Sequence, residues 1–163
     1  MSSVRDPGVR ATQSGTITAM ALVLVASDLP SLRHSVRSTL EGPDLEVLEA
    51  ATGRDAVRVA IDQEVDLAIL DLQIGAMGAF AICSELHNRE SFGDAFHVPV
   101  LMLLDRRPDV FLARRASAEG FCVKPIEPSR LRRAVRALLD GGTFEDDAWR
   151  PVTVGARGAP ADG

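Results

Sequence analysis

A chain of 163 residues, 46% hydrophobic and 25% charged, is long enough for one domain with a sizeable core and too short for two ordinary ones. Its net charge of −5 gives no support for sequence-independent binding to a phosphate backbone, so nucleic acid is not an expected partner. The two cysteines, Cys83 and Cys122, lack metal-ligand spacing and cannot build a disulfide framework, which points to a reducing, cytoplasmic setting.

Residues 1–18 are rich in Ser, Thr and Gly with no apolar period, and they read as a disordered N-terminal extension. Arg5 and Arg10 precede the apolar run from Ala19 to Ala26, and Val25-Ala26-Ser27 imitates a signal cleavage site. Asp6 is out of place in such a leader, however, and the run fits a first core strand. It falls far short of the ~20 residues that cross a bilayer, so no membrane association is expected. Met20, directly before that strand, is a candidate translation start.

From Ala21 onward short apolar runs alternate with longer amphipathic ones, the pattern of repeated strand and helix units around a parallel sheet. Strands are expected at Ala21–Val25, Leu45–Leu48, Leu67–Leu70, Val100–Leu104 and Phe121–Val123. Charge within Asp44-Leu45-Glu46-Val47 suits an edge strand. The first helix is expected at Pro30–Leu40, with Leu32, Val36 and Leu40 on one face and Gly42-Pro43 beyond its end. The second follows Thr52, a candidate N-cap with Asp55 three residues on, and should bury Ala56, Val59 and Ala60. The third is expected at Ala79–Asn88, followed by a loop over Arg89–Val98. The fourth should cover Pro108–Ala118, and the fifth Pro128–Leu139, stopped by Gly141-Gly142. Residues 19–142 thus form one α/β domain, a doubly wound five-stranded parallel sheet of flavodoxin-like order 2-1-3-4-5 with helices on both faces. Residues 143–163 read as a flexible tail, too short for an output domain.

In open α/β sheets ligands bind beyond the carboxyl ends of the strands, where strand order reverses. The residues at those ends are Ser27-Asp28, Asp71, Asp105 and Lys124. Order 2-1-3-4-5 sets Asp28 and Asp71 across one crevice with Lys124 reaching over. Two nearby carboxylates repel unless a cation joins them, which invites a hard divalent ion, and Mg2+ is the natural candidate. Lys124 is the chain's only lysine among 18 basic residues, which suits a place that needs a compact ammonium.

The segments Val23-Leu-Val-Ala-Ser-Asp-Leu-Pro30, Ile69-Leu-Asp-Leu-Gln-Ile74 and Val123-Lys-Pro125 resemble the receiver domain of two-component response regulators, over about Ala21 to Gly142. The resemblance implies that Asp71 is the phospho-acceptor and that Asp28, Asp71 and the Gln73 backbone carbonyl hold the magnesium ion. It makes Lys124 the phosphate-binding lysine and Pro125 the proline after a cis peptide bond. It also implies a histidine kinase or phosphotransfer protein as donor and a relay by protein contact. Departures stand beside these matches. Ser27 replaces the first acid of a pair, Gly75 a usual proline, Leu104 the Thr or Ser of the switch, and Phe121 the common tyrosine.

Alternatives remain at several positions. Asp28 is also a candidate N-cap for the first helix. Asp105 reads as a solvated loop residue whose place would discourage an anionic ligand. His34, His87 and His97 have no ligand spacing, and both cysteines read as small core residues. Arginines 106, 107, 114, 115, 130, 132, 133 and 136 form either a solvated basic face or a docking face for a downstream target or a second copy. The alternative function is a pseudo-receiver that docks or dimerises without phosphorylation. A flavodoxin-like cofactor binder is disfavoured because no glycine-rich phosphate loop follows the first strand.

Overall fold

The computed structural model describes residues 20–93 and 96–147. Its strands are β1 (Ala21–Ala26), β2 (Leu45–Ala50), β3 (Leu67–Asp71), β4 (Val100–Leu104), β5 (Gly120–Val123) and β6 (Phe144–Glu145). They form one parallel sheet in the order β2-β1-β3-β4-β5-β6. The expected doubly wound order is therefore present, with β2 at one edge. The sixth strand goes beyond the sequence expectation: Phe144 and Glu145, in the stretch read as a tail, pair with Gly120 and Phe121.

The helices are α1 (Pro30–Leu40), α2 (Gly53–Asp62), α3 (Ala79–Ser91), α4 (Val110–Arg115) and α5 (Pro128–Leu139). Alternate residues of the central strands face opposite sides, as the twofold period of a strand requires, and so build two cores. Val23, Val25, Ile69, Leu101 and Leu103 meet Val36 and Leu40 of α1 and Leu131, Val135 and Leu138 of α5. Leu24, Leu70, Met102 and Leu104 meet α2, α3 and α4. Pro30 and Pro128 sit in the first turns of α1 and α5, where a missing N–H leaves no bond unmade. The Thr52 hydroxyl caps α2 by accepting the Asp55 N–H at 3.1 Å. Val57, rather than Val59, is among the buried residues of α2.

The fourth helical unit departs most from expectation. It begins as a 3-10 turn at Arg107–Asp109, and α4 stops at Arg115, with Ser117 in the left-handed region at φ 58°. The third helix runs three residues past its expected end, to Ser91. Cys83 and Cys122 are free and buried, and burial pushes both thiols up to about 12, so neither is a poised nucleophile.

One close approach ties α2 to the loop after β3. A Cβ added at Gly53 would lie 2.5 Å from the Met77 carbonyl oxygen and 2.7 Å from Met77 Cβ, neither of which can swing aside. Gly53→Ala should therefore destabilise the protein by about 1–3 kcal/mol in urea unfolding. At Gly78, the N-cap of α3, an added Cβ meets nothing within 4 Å among the described residues, so Gly78→Ala is the control, limited to the cost of a poorer cap, under about 1 kcal/mol. Equal behaviour of the two variants would show that the contact at Gly53 relaxes freely.

Candidate functional site

Four strands end at one rim of the sheet. There β1 delivers Ser27 and Asp28, β3 delivers Asp71, and the turns after β4 and β5 deliver Asp105 and Lys124. Asp71 is fully buried, and each of its oxygens is engaged. Lys124 Nζ donates to Asp71 Oδ1 at 2.7 Å, and the Gln73 backbone N–H donates to the same oxygen at 3.2 Å. The Ser27 hydroxyl donates to Asp71 Oδ2 at 2.6 Å, a short charge-assisted bond. Ser27 is itself buried, its Oγ accepting the Leu29 N–H and its carbonyl accepting Arg33 Nη1 at 2.6 Å.

Lys124 also donates to Asp105 Oδ1 at 3.0 Å. Partial burial pulls its ammonium down, but the hydrogen bonds and charges of Asp71 and Asp105 outweigh that effect and hold its pKa above the ordinary lysine value. The Lys124-Pro125 peptide bond is cis, as the resemblance implies.

Asp28 is exposed at the mouth. It does not cap α1: Leu29 takes the N-cap position and makes no cap hydrogen bond with its own side chain. Its Oδ2 lies 3.3 Å from where a Cβ at Gly75 would sit, so the glycine leaves the carboxylate room over the loop that follows Asp71. Ala76 in that loop holds a left-handed φ of 62°, a conformation that carries strain in a residue with a side chain. Among the described residues no three His, Cys, Asp or Glu side chains form a metal shell by themselves. An ion at this rim would need backbone and water oxygens beside the two carboxylates, and magnesium prefers that mixture.

At the end of β4, Leu104 is fully buried, and Phe121 on the neighbouring β5 is 2% exposed. Both belong to the same apolar core. Two partners at the site lie beyond the sequence reading. The Ser27 hydroxyl bonds the Asp71 carboxylate, and Asp105 pairs with Lys124 instead of being free in solvent. The signal for the first is the polar pair ending β1, and for the second an acid immediately after a buried strand.

The order of the strands, the buried aspartate at the end of β3 and the lysine facing it from β5 define a CheY-like signalling module. The family model for the response regulator receiver domain matches residues 23–136, and the chain belongs to that family. The nitrate/nitrite response regulator protein NarL of Escherichia coli K12 is 28% identical over 134 residues. That match covers 81% of this chain and 61% of NarL, so the chain spans less than two thirds of that relative. Protein PilH of Pseudomonas aeruginosa is 25% identical over 122 residues, 75% of this chain and 100% of PilH. The crystal structure of the Vibrio cholerae chemotaxis protein CheY4 shares 29% identity at a TM-score of 0.64, covering 72% of this chain and 98% of that one. No helix among the described residues is long and apolar enough to cross a membrane.

Proposed function

We propose that Asp71 accepts a phosphoryl group from a histidine kinase or phosphotransfer protein in the cytoplasm, and that the modified domain passes the signal on by protein contact. The observation that carries this reading is the buried Asp71 carboxylate held 2.7 Å from the chain's only lysine. For transfer, a carboxylate oxygen of Asp71 attacks phosphorus in line with the departing group, while the Lys124 ammonium meets an equatorial phosphoryl oxygen. Asp28, Asp71 and the Gln73 carbonyl would hold magnesium, which supplies neutralising charge to the phosphoryl oxygens. Arg33 fixes the β1 end that carries Ser27 and Asp28. Water later hydrolyses the acyl phosphate, and no separate substrate is turned over. Signalling contact falls to α4 and α5, where Phe111 is 75% exposed beside Arg114 and Arg115.

The test is incubation with magnesium and acetyl phosphate followed by intact mass, with uptake of one phosphoryl group expected. In a separate titration Asp28→Ala should weaken magnesium binding about tenfold or more, because a carboxylate about 4 Å from a doubly charged ion is worth about 2 kcal/mol even at the dielectric constant of water. Ser27→Ala should weaken it less, since a hydroxyl is not a hard anionic ligand. The reverse order would remove Asp28 from the metal site.

A second reading, a docking module that works without phosphorylation, is favoured by two observations. Both oxygens of Asp71 take hydrogen bonds from within the chain, from Ser27, Lys124 and the Gln73 N–H. Leu104 offers no hydroxyl to follow a phosphoryl oxygen, and Phe121 is already buried against the same core. Absence of uptake by the native chain would select this reading.

A further inference from the structure

A solvated loop aspartate would hold both carboxylate oxygens in water. Asp105 does not. Its side chain is 30% exposed, Oδ1 sits 3.0 Å from Lys124 Nζ, and Oδ2 is buried with no hydrogen-bond partner among the described residues. A buried, unsatisfied carboxylate oxygen is costly, so this pose persists only because the ammonium holds the other oxygen. Lys124 has three N–H donors, of which Asp71 and Asp105 each take one. The lysine meant for a phosphoryl group thus already carries an anion besides the acceptor.

We propose that Asp105 is an internal competitor for Lys124, a positioning residue whose charge occupies part of the ammonium's donor capacity and opposes an incoming phosphoryl group. The proposal rests on the reading of Asp71 as acceptor. It assigns Asp105 a role through Lys124 rather than any contact with the reacting atoms. A dianionic donor entering beside Asp28, Asp71 and Asp105 meets three carboxylates and one shared ammonium, so the charge of Asp105 weighs on the transfer step twice. It repels the donor, and it draws on the side-chain ammonium that would meet a phosphoryl oxygen. Leu104, the preceding residue, leaves the same position without a neutral hydroxyl donor that would offset the loss.

Asp105→Asn removes the charge and keeps the shape. In the 163-residue chain it should raise the initial rate of uptake from acetyl phosphate by at least about tenfold, equivalent to about 1.4 kcal/mol of barrier. Asp105→Glu, which restores the charge, should remain slow. A charge competitor predicts that the gain is larger for dianionic acetyl phosphate than for phosphoramidate, which carries less net negative charge, whereas a purely structural effect would speed both alike. Lys124 also gives a readout that needs no phosphorylation. As the only lysine it yields a single side-chain ammonium signal in lysine-labelled NMR. Its titration midpoint should fall in Asp105→Asn.

An unmoved midpoint would overturn the pairing whatever the rates do. A lowered midpoint with unchanged uptake, or with equal gains for both donors, would overturn the competitor role while leaving Asp71 as acceptor. A lowered midpoint with no uptake by native or Asp105→Asn protein would overturn the acceptor reading, and the competitor role with it.

Discussion

Asp71→Asn is expected to end phosphoryl uptake, with no mass increase after incubation in magnesium and acetyl phosphate under conditions that modify the native chain. Among the strand-end carboxylates only Asp71 combines full burial with an ammonium in hydrogen-bond reach: Lys124 lies 2.7 Å away, and Asp28 is exposed at the mouth. An amide is a poor nucleophile, and its introduction also removes the negative charge that Lys124 and the Ser27 hydroxyl converge upon. The fold should survive the change. The side-chain carbonyl of the asparagine can still accept a hydrogen bond at this position, Lys124 keeps Asp105, and an amide needs less solvation than the carboxylate it replaces. Loss of uptake with an unaltered thermal midpoint therefore isolates chemistry from stability. Equal labelling of the Asp71→Asn variant would sink the assignment and move attention to Asp28.

The elements most legible in the sequence were those with local punctuation. Pro30 and Pro128 fix the first turns of α1 and α5, and the apolar spacing behind each carries the helix to Leu40 and Leu139, so both ranges agree with the sequence expectation. The fourth unit had no such signal at its end. Its stop depends on Ser117 adopting a positive φ, which a serine rarely does, and on the Ala118 N–H reaching the Ala113 carbonyl at 3.1 Å. The strand β6 was invisible for a different reason. Two residues carry no period, and their place is set by long-range partners, among them the Phe144 N–H to Glu119 carbonyl bond at 3.0 Å.

The site divides in the same way. Asp28, Asp71 and Lys124 are readable because topology alone places strand ends together. Which oxygen of Asp71 meets Ser27, and whether Asp105 turns toward Lys124 or toward water, depends on side-chain rotamers that no spacing encodes. The basic face shows the same limit. Arginines counted as one surface in the sequence have separate partners: Arg114 meets Glu145 at 3.0 Å, Arg130 meets Asp146 at 3.2 Å, and Arg132 donates to the Thr39 carbonyl at 3.1 Å. Salt-sensitive docking there must work with a face whose charge is already partly answered from within the chain.

The stretch expected to be a tail supplies the largest stability effect predicted for this fold. Asp146 is 1% exposed; its Oδ2 accepts the Val123 N–H at 2.9 Å, and its Oδ1 lies 3.2 Å from Arg130 Nε. Val123 directly precedes Lys124, so this carboxylate braces the strand end that presents the lysine. Asp146→Ala would leave a buried N–H unsatisfied and take from Arg130 a fully buried partner, while the Glu127 contact at 3.3 Å, on a half-exposed carboxylate, holds the guanidinium less firmly. Breaking a buried pair by removing one partner costs about 3–5 kcal/mol, and the 23% exposure of Arg130 argues for the low end, about 3 kcal/mol. For a domain of this size that is a fall in Tm of about 10 °C, measurable by circular dichroism. Glu145→Ala is the contrast, because its pair with Arg114 is exposed on both sides and should be worth under about 1 kcal/mol. A loss in Asp146→Ala no greater than in Glu145→Ala would mean that the segment after α5 rests on the sheet without bracing it, and that Lys124 is held by Asp71 and Asp105 alone.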